Sequence, residues 1–446
     1  MIGNENREMG SRIVSTCVGW GLCWGMLLVT APSQAWAVEF AGGTGEPNDP
    51  FQIATPEQLI AIDSDPELLD KNFVLVADID LDPNLPGGRV FTDALIAQDT
   101  GDSVSGHSGD SFEGVLDGQG HTIANMHIVG VHGYDAGLIG NLSGLVKELR
   151  LSDVVVSGSP CGAIAGLNHR NGMILRCEVS GHLSGTESVG GFVGTNWDGS
   201  LVECQAQVQI SGEERVGGMV GGGPGGTLIR CQAQAEIYGE NDIGGLVGQS
   251  SGGQIIECGV NGLVIGSNNV GGLVGTSRDT LVLRSSADCD VTGQRMVGGL
   301  LGNASSAFGP TLISDSYALG SVAGSVVGGL VGQVNRKRCL NCYSACELIA
   351  LPVENEELWI GGLFGSIRRG NETQTSISCF WDAELSGVSI ADGANPMEPA
   401  TGLTTEQMQD QNILRDAGWD FNHVWTICEG DYPRLQWQAE DCGDSQ

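Results

Sequence analysis

The sequence predicts an all-β protein built as a right-handed parallel β-helix, a β-solenoid-like repeat array with short helices near both ends. Three observations predict this class: a glycine-rich hexapeptide recurs at nearly constant spacing, a strand-like segment follows each copy, and the composition is unusual. The chain of 446 residues has 71 glycines but only 5% aromatic residues. This composition argues against several conventional cores and favours one long, thinly cored body.

The hexapeptide, typified by VGGLVG at 270–275, occurs nine times with small changes. The last glycines of the copies lie 26 to 33 residues apart, a period typical of solenoids. They are Gly140, Gly166, Gly194, Gly221, Gly248, Gly275, Gly302, Gly332 and Gly365. Glycine permits a positive φ or a close approach of neighbouring backbone, as a tightly wound coil requires at its bends. A phosphate-binding loop is excluded because no Lys-Ser/Thr pair follows.

The segment that follows each glycine block alternates between apolar and polar residues. In LVECQAQVQISG, residues 201–212, every second residue from Val202 to Ile210 is apolar, while Glu203 and three glutamines fall between them. This period of two predicts a half-buried strand. Because one such strand cannot bury its face alone, neighbouring repeats must stack into a continuous core.

Stacking in register predicts columns of equivalent residues along the array. One column consists of Cys177, Cys204, Cys231, Cys258, Ser285, Ser316, Cys342 and Cys379. The residues just before the first six alternate in charge: Arg176, Glu203, Arg230, Glu257, Arg284 and Asp315. Strands about 4.8 Å apart would place each charge between two of opposite sign. Exposed pairs contribute up to about 1 kcal/mol each, so we expect this ladder to set register more than stability.

The chain divides into four predicted segments. Residues 1–37 are predicted to be a secretory signal peptide, with an apolar stretch from Ile13 to Val29 and a small-residue cleavage site before Val38. A retained membrane anchor is the alternative, and the start codon is either Met1 or Met9. Residues 38–133 are expected to form irregular β coils and a cap, 134–387 the repeat array, and 388–446 a C-terminal capping segment. After signal cleavage no segment has the roughly 20 apolar residues of a transmembrane helix.

Two short segments have the sequence signature of a helix start. Thr55 is followed by Pro56 and then by Gln58, and the pair Thr404 and Gln407 repeats the capping pattern near the other end. We expect short helices at both places, where they could shield the open ends of the solenoid.

The charge of the chain restricts its partners. The formal net charge is -34, and the chain has three lysines, Lys71, Lys147 and Lys337. Binding to a phosphate backbone needs clustered cations, so nucleic acid is excluded as a partner. Asp78, Asp80 and Asp82 alternate along one predicted strand. We expect solvated carboxylates there and leave calcium, which prefers oxygen ligands, as the alternative.

Twelve cysteines remain after removal of the predicted signal peptide. Export to an oxidising compartment would permit disulfides, and Cys428 with Cys442 is the expected pair because both lie outside the array. The column cysteines are expected to be core thiols. Cys339, Cys342 and Cys346 have the spacing of a zinc or redox site. Strand alternation places Cys342 and Cys346 on the core face and Cys339 off it, so core packing is expected there as well.

The hexapeptide VGGFVG and its variants resemble the GLUG motif, a repeat of bacterial secreted and surface proteins that also occurs in some IgA-specific metallo-endopeptidases. Residues 42–62 and 418–437 are similar to segments that flank such arrays. The resemblance implies an extracellular β-solenoid and brings no catalytic residue or ligand. The zinc-binding His-Glu-x-x-His of the endopeptidases is absent around all seven histidines.

These features together predict a non-enzymatic secreted or cell-surface protein that serves as an adhesion, scaffold or spacer module. We expect no catalytic, cofactor-binding or metal-binding residues, and partners among extracellular glycans or surface proteins. Nine coils would form a rod of roughly 43 Å, at about 4.8 Å per coil. Two alternatives stay open: a polysaccharide-active β-helix enzyme, which needs a pair of carboxylates that the sequence alone does not reveal, and the recognition module of a proteolytic system.

Overall fold

The computed structural model describes residues 38–99, 109–130, 135–305, 311–335, 337–353, 357–367, 375–394 and 401–438. The predicted signal peptide lies outside these residues. From Val38 onward the chain forms one compact unit. It is a parallel β-solenoid of about eight turns, which confirms the predicted fold class.

Each complete coil contributes one strand to each of four parallel sheets, here named sheets I to IV in the order Ser200–Val202, Gln205–Ser211, Glu214–Gly217 and Val220–Pro224. Sheet I consists of Phe51–Ile53, Asn72–Leu75, Val115–Asp117, Leu145–Lys147, Met173–Leu175, Ser200–Val202, Thr227–Ile229, Gln254–Ile256, Leu281–Leu283, Thr311–Ser314, Lys337–Leu340 and Thr375–Ile377. Sheet II consists of Ile79–Asp80, Thr122–Ala124, His127–Val129, Arg150–Ser157, Glu178–Ser184, Gln205–Ser211, Gln232–Tyr238, Gly259–Ile265, Ser286–Thr292, Tyr317–Gly324, Tyr343–Ala350, Phe380–Asp382 and Thr401–Leu403.

The other two long sheets begin later in the chain. Sheet III consists of Cys161–Gly162, Glu187–Gly190, Glu214–Gly217, Asn241–Gly244, Asn268–Gly271, Arg295–Gly298, Val326–Gly328 and Trp359–Gly361. Sheet IV consists of Ile139–Leu142, Ala165–Asn168, Val193–Asn196, Val220–Pro224, Val247–Ser251, Val274–Arg278, Leu301–Ser305, Val331–Val334 and Phe364–Ile367. A fifth, antiparallel sheet pairs Trp425–Thr426 with Arg434–Leu435.

The glycine blocks form the bend between sheets III and IV, and the last glycine of each of the nine copies lies in a strand of sheet IV. In VGGLVG, Val270, Leu273 and Val274 are fully buried. A Cβ on Gly272 would lie 2.1 Å from the carbonyl oxygen of Gly299 on the next coil. No glycine of the blocks has a positive φ. The block glycines are therefore needed for the close approach of neighbouring coils and not for a positive φ.

The predicted strand across 201–212 is divided by a corner, which changes the face of its first residues. Glu203 has a φ of 55° and separates the sheet I strand Ser200–Val202 from the sheet II strand Gln205–Ser211. Leu201 is fully buried and Val202 only half-buried, so the prediction that Val202 shares the core face with Ile210 is wrong. Beyond the corner, burial alternates without interruption.

The inward side chains of all four sheets form one continuous core that extends from Ile53 to Ala391. At its N-terminal end, Phe51 stacks on Phe40 with ring centroids 4.6 Å apart, and Phe73 follows at 5.7 Å from Phe51. The residues that lie inward are small or aliphatic through most of the array. This explains how a chain with few aromatic residues has a continuous core.

The predicted short helices are present at both ends. Pro56–Ile60 begins after Thr55, whose side chain accepts a hydrogen bond from the backbone of Gln58, and 3₁₀ turns follow at Ala61–Ser64 and Pro66–Leu68. Near the other end lie the helices Ala383–Ser386, Thr405–Met408 and Gln411–Asp416 and the 3₁₀ turn Gln436–Gln438. Thr404 and Gln407 form the predicted capping box. The buried residues of the C-terminal helices, Met408 and Leu414, pack in a second cluster with outward tyrosines of sheet II.

Candidate functional site

The outer face of sheet II carries a dense array of amide side chains. We name as the amide face the exposed residues Gln205, Gln207, Gln209, Gln232, Gln234 and Asn261. The strand register places Gln205 beside Gln232, and Gln207 beside Gln234, which in turn lies beside Asn261. Each glutamine is exposed because its neighbours along the strand fill the core, as the alternating sequence predicts. The result is a lattice of donors and acceptors with a repeat of about 4.8 Å.

A groove of about 640 Å³ runs over this face. The amide face lines it with all its residues except Gln209, together with Arg150 and Glu178 on earlier coils and Ser286 and Asp288 on a later one. It therefore crosses several consecutive coils instead of enclosing one small ligand. Side chains that both donate and accept hydrogen bonds suit a hydroxyl-rich chain, because every amide can pair with a hydroxyl group in either direction.

The C-terminal segment forms one wall of the groove. The indole N–H of Trp437 donates to the carbonyl oxygen of Arg284 at 2.8 Å, and Gln438 Nε2 donates to Ser286 Oγ at 2.7 Å. A Cβ on Gly259 would lie 3.3 Å from Trp437 Cη2. The absence of a side chain at this outward position therefore makes room for the indole ring, which adds an aromatic surface to the polar groove.

The carboxylates beside the groove have protein partners. Asp288 lies 3.8 Å from the guanidinium of Arg434, and Glu178 lies 3.1 Å from Nε of Arg150. Arg434 itself donates to the hydroxyl of Tyr317 at 3.4 Å. These contacts offset part of the negative charge that the carboxylates would otherwise give to the groove.

On the corner between sheets I and II, the predicted charge ladder is confirmed from Glu203 to Arg284, while Arg176 pairs with Glu148 of the preceding coil and Asp315 accepts a hydrogen bond from Asn341. Ion pairs join Arg176 to Glu148 at 2.6 Å, Arg230 to Glu203 at 2.8 Å and to Glu257 at 3.5 Å, and Arg284 to Glu257 at 2.9 Å. All six predicted ladder residues have a positive φ of 46° to 55°. The prediction that they lie on a straight strand is wrong, because they turn the chain at each corner. Their position at solvent-exposed corners favours a structural role.

The three aspartates of the predicted calcium alternative do not converge. Asp78 accepts hydrogen bonds from the backbone of Thr122 at 2.9 Å and from the ring of His121 at 3.0 Å, and these contacts, the backbone bond first, lower its pKa. Asp80 and Asp82 instead accept bonds that stabilise the loop after their strand. The three carboxylates alternate outward as predicted, but each has separate protein donors.

Of the three cysteines whose spacing suggested a zinc or redox site, two lie together in the structure and the third lies apart from them. Cys339 and Cys342 are fully buried and meet Cys379 of the next coil, with all three Sγ atoms within 4.8 Å of one another. Cys346 is buried elsewhere, with its thiol 3.7 Å from the carbonyl oxygen of Gly329. The prediction that Cys339 lies off the core face is wrong. The corner at Asn341, with a φ of 52°, interrupts the strand alternation on which that prediction rested.

The column cysteines are core thiols, as predicted. Each column residue donates a hydrogen bond to the carbonyl oxygen two positions earlier, as in Cys204 to Val202 at 3.3 Å and Ser316 to Ser314 at 2.8 Å. Burial raises the pKa of Cys231 well above its usual range, so this thiol stays protonated and unreactive. Cys428 is disulfide-bonded, whereas its predicted partner, Cys442, lies outside the described residues.

One pair of outward carboxylates on adjacent coils was not predicted from the sequence. The register of sheet III places Glu187 beside Glu214, and both are exposed. Arg215 forms an ion pair with Glu187. The pairing could be found only once the register was known, because the two residues lie 27 positions apart in the sequence.

Within the described ranges, no helix is long and apolar enough to cross a membrane. The class of protein is a parallel β-solenoid repeat protein with a polar groove on one sheet. No model of a known protein family matches the chain, so the likeness to GLUG repeats stays a resemblance of motif and spacing.

Parts of the chain are similar to two known proteins. A stretch of 139 residues is 33% identical to "Putative Gly-rich membrane protein" of Evansella cellulosilytica and covers 29% of this chain and 15% of that protein. A stretch of 160 residues is 34% identical to "Halomucin" of Haloquadratum walsbyi and covers 34% of this chain and 2% of that protein. The matched stretches are therefore small parts of much longer relatives.

Among solved structures, a crystal structure described as a putative immunoglobulin A1 protease from Bacteroides ovatus is similar over 90% of this chain and 96% of that one, with a TM-score of 0.36 and 16% sequence identity.

Proposed function

We propose that this protein is a non-enzymatic, extracellular repeat protein for adhesion or scaffolding, and that its amide face binds extended, hydroxyl-rich glycans. The observation that carries the proposal is the register of Gln205, Gln207, Gln232 and Gln234 on neighbouring strands, which repeats the same donors and acceptors along the solenoid. A linear polymer could contact successive coils in the same way, so modest hydrogen bonds would add along its length.

The charge and the sequence context support this assignment. A net charge of -34 disfavours phosphate-rich partners and leaves neutral polymers as better ligands for an amide surface. The predicted signal peptide and the names of the two relatives, one a membrane protein and the other Halomucin, support a location outside the cell. Surface proteins that present hydroxyl or amide groups are the second class of partner that this face suits.

The first experiment is binding of the chain from residue 38 onward to a mixed glycan array, with and without calcium, followed by a cleavage assay for every ligand found. The double variant Gln207→Ala with Gln234→Ala should weaken binding about 10- to 100-fold, because two hydrogen bonds of about 1 kcal/mol or more are lost. The matched control is Gln254→Ala, which removes an exposed glutamine from the outer face of sheet I.

Each result has a definite meaning. Binding that survives in the control and falls in the double variant supports the proposal. Binding that is equal in all three proteins would place the ligand on another surface, and the absence of any bound glycan would leave a scaffold or spacer role. A requirement for calcium would direct attention to the exposed aspartates of the N-terminal coils.

A polysaccharide-active enzyme is the second candidate because Glu187 and Glu214 lie on adjacent coils at a strand spacing of about 4.8 Å, near the 5 to 5.5 Å that retaining glycosidases use. The ion pair of Glu187 with Arg215 disfavours it, since a catalytic pair needs one carboxyl group that holds a proton. If the array reveals cleavage, Glu214→Gln should abolish it while binding persists. Cleavage unchanged in that variant would exclude this pair.

A further inference from the structure

The buried cysteines at the C-terminal end of the array differ from those of the earlier coils in what surrounds them. The residue three positions before each column residue faces the core in sheet I. On six successive coils it is aliphatic and buried: Ile174, Leu201, Leu228, Ile255, Val282 and Ile313. On the next two coils the same register position holds Cys339 and then Ser376. Two polar groups thus replace aliphatic ones on the same two coils where the column residue is again cysteine, after serine on the two coils before them.

Polar groups in such a place require partners, because an unpaired buried polar group costs about 1 to 3 kcal/mol. The hydroxyl oxygen of Ser376 is buried and makes no hydrogen bond within the described residues. Cys339 Sγ lies 3.2 Å from Cys379 Sγ, and Cys342 completes a group in which no two sulfurs are more than 4.8 Å apart. Core packing alone explains the earlier column thiols, which have aliphatic neighbours, but it does not explain this polar cluster.

We propose that Cys339, Cys342 and Cys379 bind one Zn²⁺ ion, with the hydroxyl of Ser376 or a water molecule at the fourth position. Three sulfurs at about 2.3 Å from a tetrahedral zinc ion lie about 3.8 Å from one another, between the 3.2 Å that separates the Cys339 and Cys379 sulfurs and the 4.8 Å limit of the cluster. Binding releases the three thiol protons and leaves a zinc trithiolate.

The position of the cluster is consistent with a metal that stabilises the end of the array. Thr375–Ile377 is the last strand of sheet I, and Cys379 is 5% exposed while Cys339 and Cys342 are fully buried. The ion would link two successive coils, because Cys339 and Cys342 belong to one coil and Cys379 to the next. A coil at the end of a solenoid has a neighbour on one side only, so stacking stabilises it least. A metal cross-link therefore adds the most stability there.

The test measures zinc bound to the reduced chain from residue 38 onward after incubation with zinc chloride and removal of free metal. We expect one zinc ion per chain, and a cobalt-substituted sample should show the charge-transfer absorption of thiolate ligands, which distinguishes this site from surface carboxylates. Cys339→Val and Cys342→Ser should lose the ion. Both variants retain packing that the array already uses, since Val282 and Ser316 occupy the equivalent positions.

The matched control is Cys204→Ser, which changes a column cysteine whose sheet I neighbour is Leu201, and it should retain the ion. Circular dichroism checks that each variant is folded. The proposal is overturned if the reduced wild-type chain binds no zinc, if Cys204→Ser loses zinc to the same extent as Cys342→Ser, or if the exported protein has a disulfide between Cys339 and Cys379.

Discussion

Sheet II has two different outer faces on one uninterrupted set of strands. Over the coils of the amide face the outward positions hold exposed glutamines, whereas on later coils the same register positions hold Tyr317 and Tyr343, which are buried under the C-terminal segment. These two rings stack at 5.0 Å, and Trp425 packs against both. In a solenoid, the outward side chains alone therefore decide whether a face stays open or binds another segment.

The boundary between the two faces lies at Gly259 and Ser286. Trp437 lies over the glycine, and Gln438 donates a hydrogen bond to the serine hydroxyl. The hydroxyl of Tyr317 donates to Gln438 Oε1 at 2.9 Å, so Gln438 is also held from the covered side. The described part of the segment thus covers the aromatic coils and reaches the first amide residues, where Trp437 and Gln438 form one wall of the groove.

The largest expected effect comes from removing the centre of the covered face. Trp425 is fully buried and stacks on Trp419 with ring centroids 4.4 Å apart. Trp425→Ala should lower the free energy of unfolding of the C-terminal segment by about 3–5 kcal/mol, because it leaves a large cavity. Urea denaturation followed by the near-ultraviolet circular dichroism of the aromatic cluster measures this loss.

The control is Trp197→Ala, in which the lost ring is 45% exposed. We expect a change within about 0.5 kcal/mol there. Equal effects of the two substitutions would show that the C-terminal segment is not held by its aromatic packing, and the contrast between the two faces would lose its energetic basis.

The second prediction tests whether the coil beneath both faces depends on the bare backbone of the glycine blocks. A Cβ on Gly221 would lie 2.5 Å from backbone atoms of Ser188 and Val189, whereas one on the adjacent Gly222 would first meet the flexible side chain of Arg215 at 3.0 Å. Gly221→Ala should therefore destabilise the solenoid by about 1–3 kcal/mol.

Gly222→Ala, by contrast, should change stability by less than about 0.5 kcal/mol, as determined by the same denaturation experiment. Neither glycine has a positive φ, so backbone strain does not contribute to the difference. If both variants are equally stable, the requirement for glycine at the last position of a block does not come from the close approach of neighbouring coils.

The smallest expected effect concerns the charge ladder, which runs along the coils of the open face. Arg230 bridges Glu203 and Glu257, and all three side chains are partly exposed. Arg230→Ala should lower stability by no more than about 1 kcal/mol. The difference should shrink in 1 M salt, where the screening length falls to about 3 Å.

Thermal unfolding at low and high salt checks this prediction, with Arg338→Ala, an exposed arginine of sheet I, as the control. A loss that is independent of salt would mean that Arg230 acts through the packing of its aliphatic stem.

The repeat period was sufficient to predict the fold, because the glycine bends and the alternating strands each follow directly from the local sequence. The burial of Ile210 and the exposure of Gln207 follow from alternation alone. The corners were not predictable in the same way, since a charged residue such as Glu203 adopts a positive φ only because the stacked coil requires a turn there. The errors at Val202 and Cys339 both come from continuing a strand through such a corner.

The candidate site was partly predictable. The amide residues were recognised as outward, but the groove requires the C-terminal segment, and nothing local to Trp437 indicates that it lies on Gly259. The convergence of Cys379 with Cys339 has a signal that could have been found, since Cys339 occupies the position of Leu201 in the repeat. Aligning the repeats with one another shows that Cys339 takes a core position, whereas extrapolating the strand alternation through the corner does not.

The stacking of equivalent coils also has an evolutionary consequence. Because Val220, Val247 and Val274 pair in strict sequence with the same register, a block of 27 residues such as 222–248 is an interchangeable cassette. Duplication or loss of one cassette would move the two ends of the molecule by about 4.8 Å without disturbing the contacts at either of them. Unequal recombination between these similar segments could therefore adjust the reach of the protein in discrete steps, while the C-terminal wall and the cysteine cluster are inherited intact.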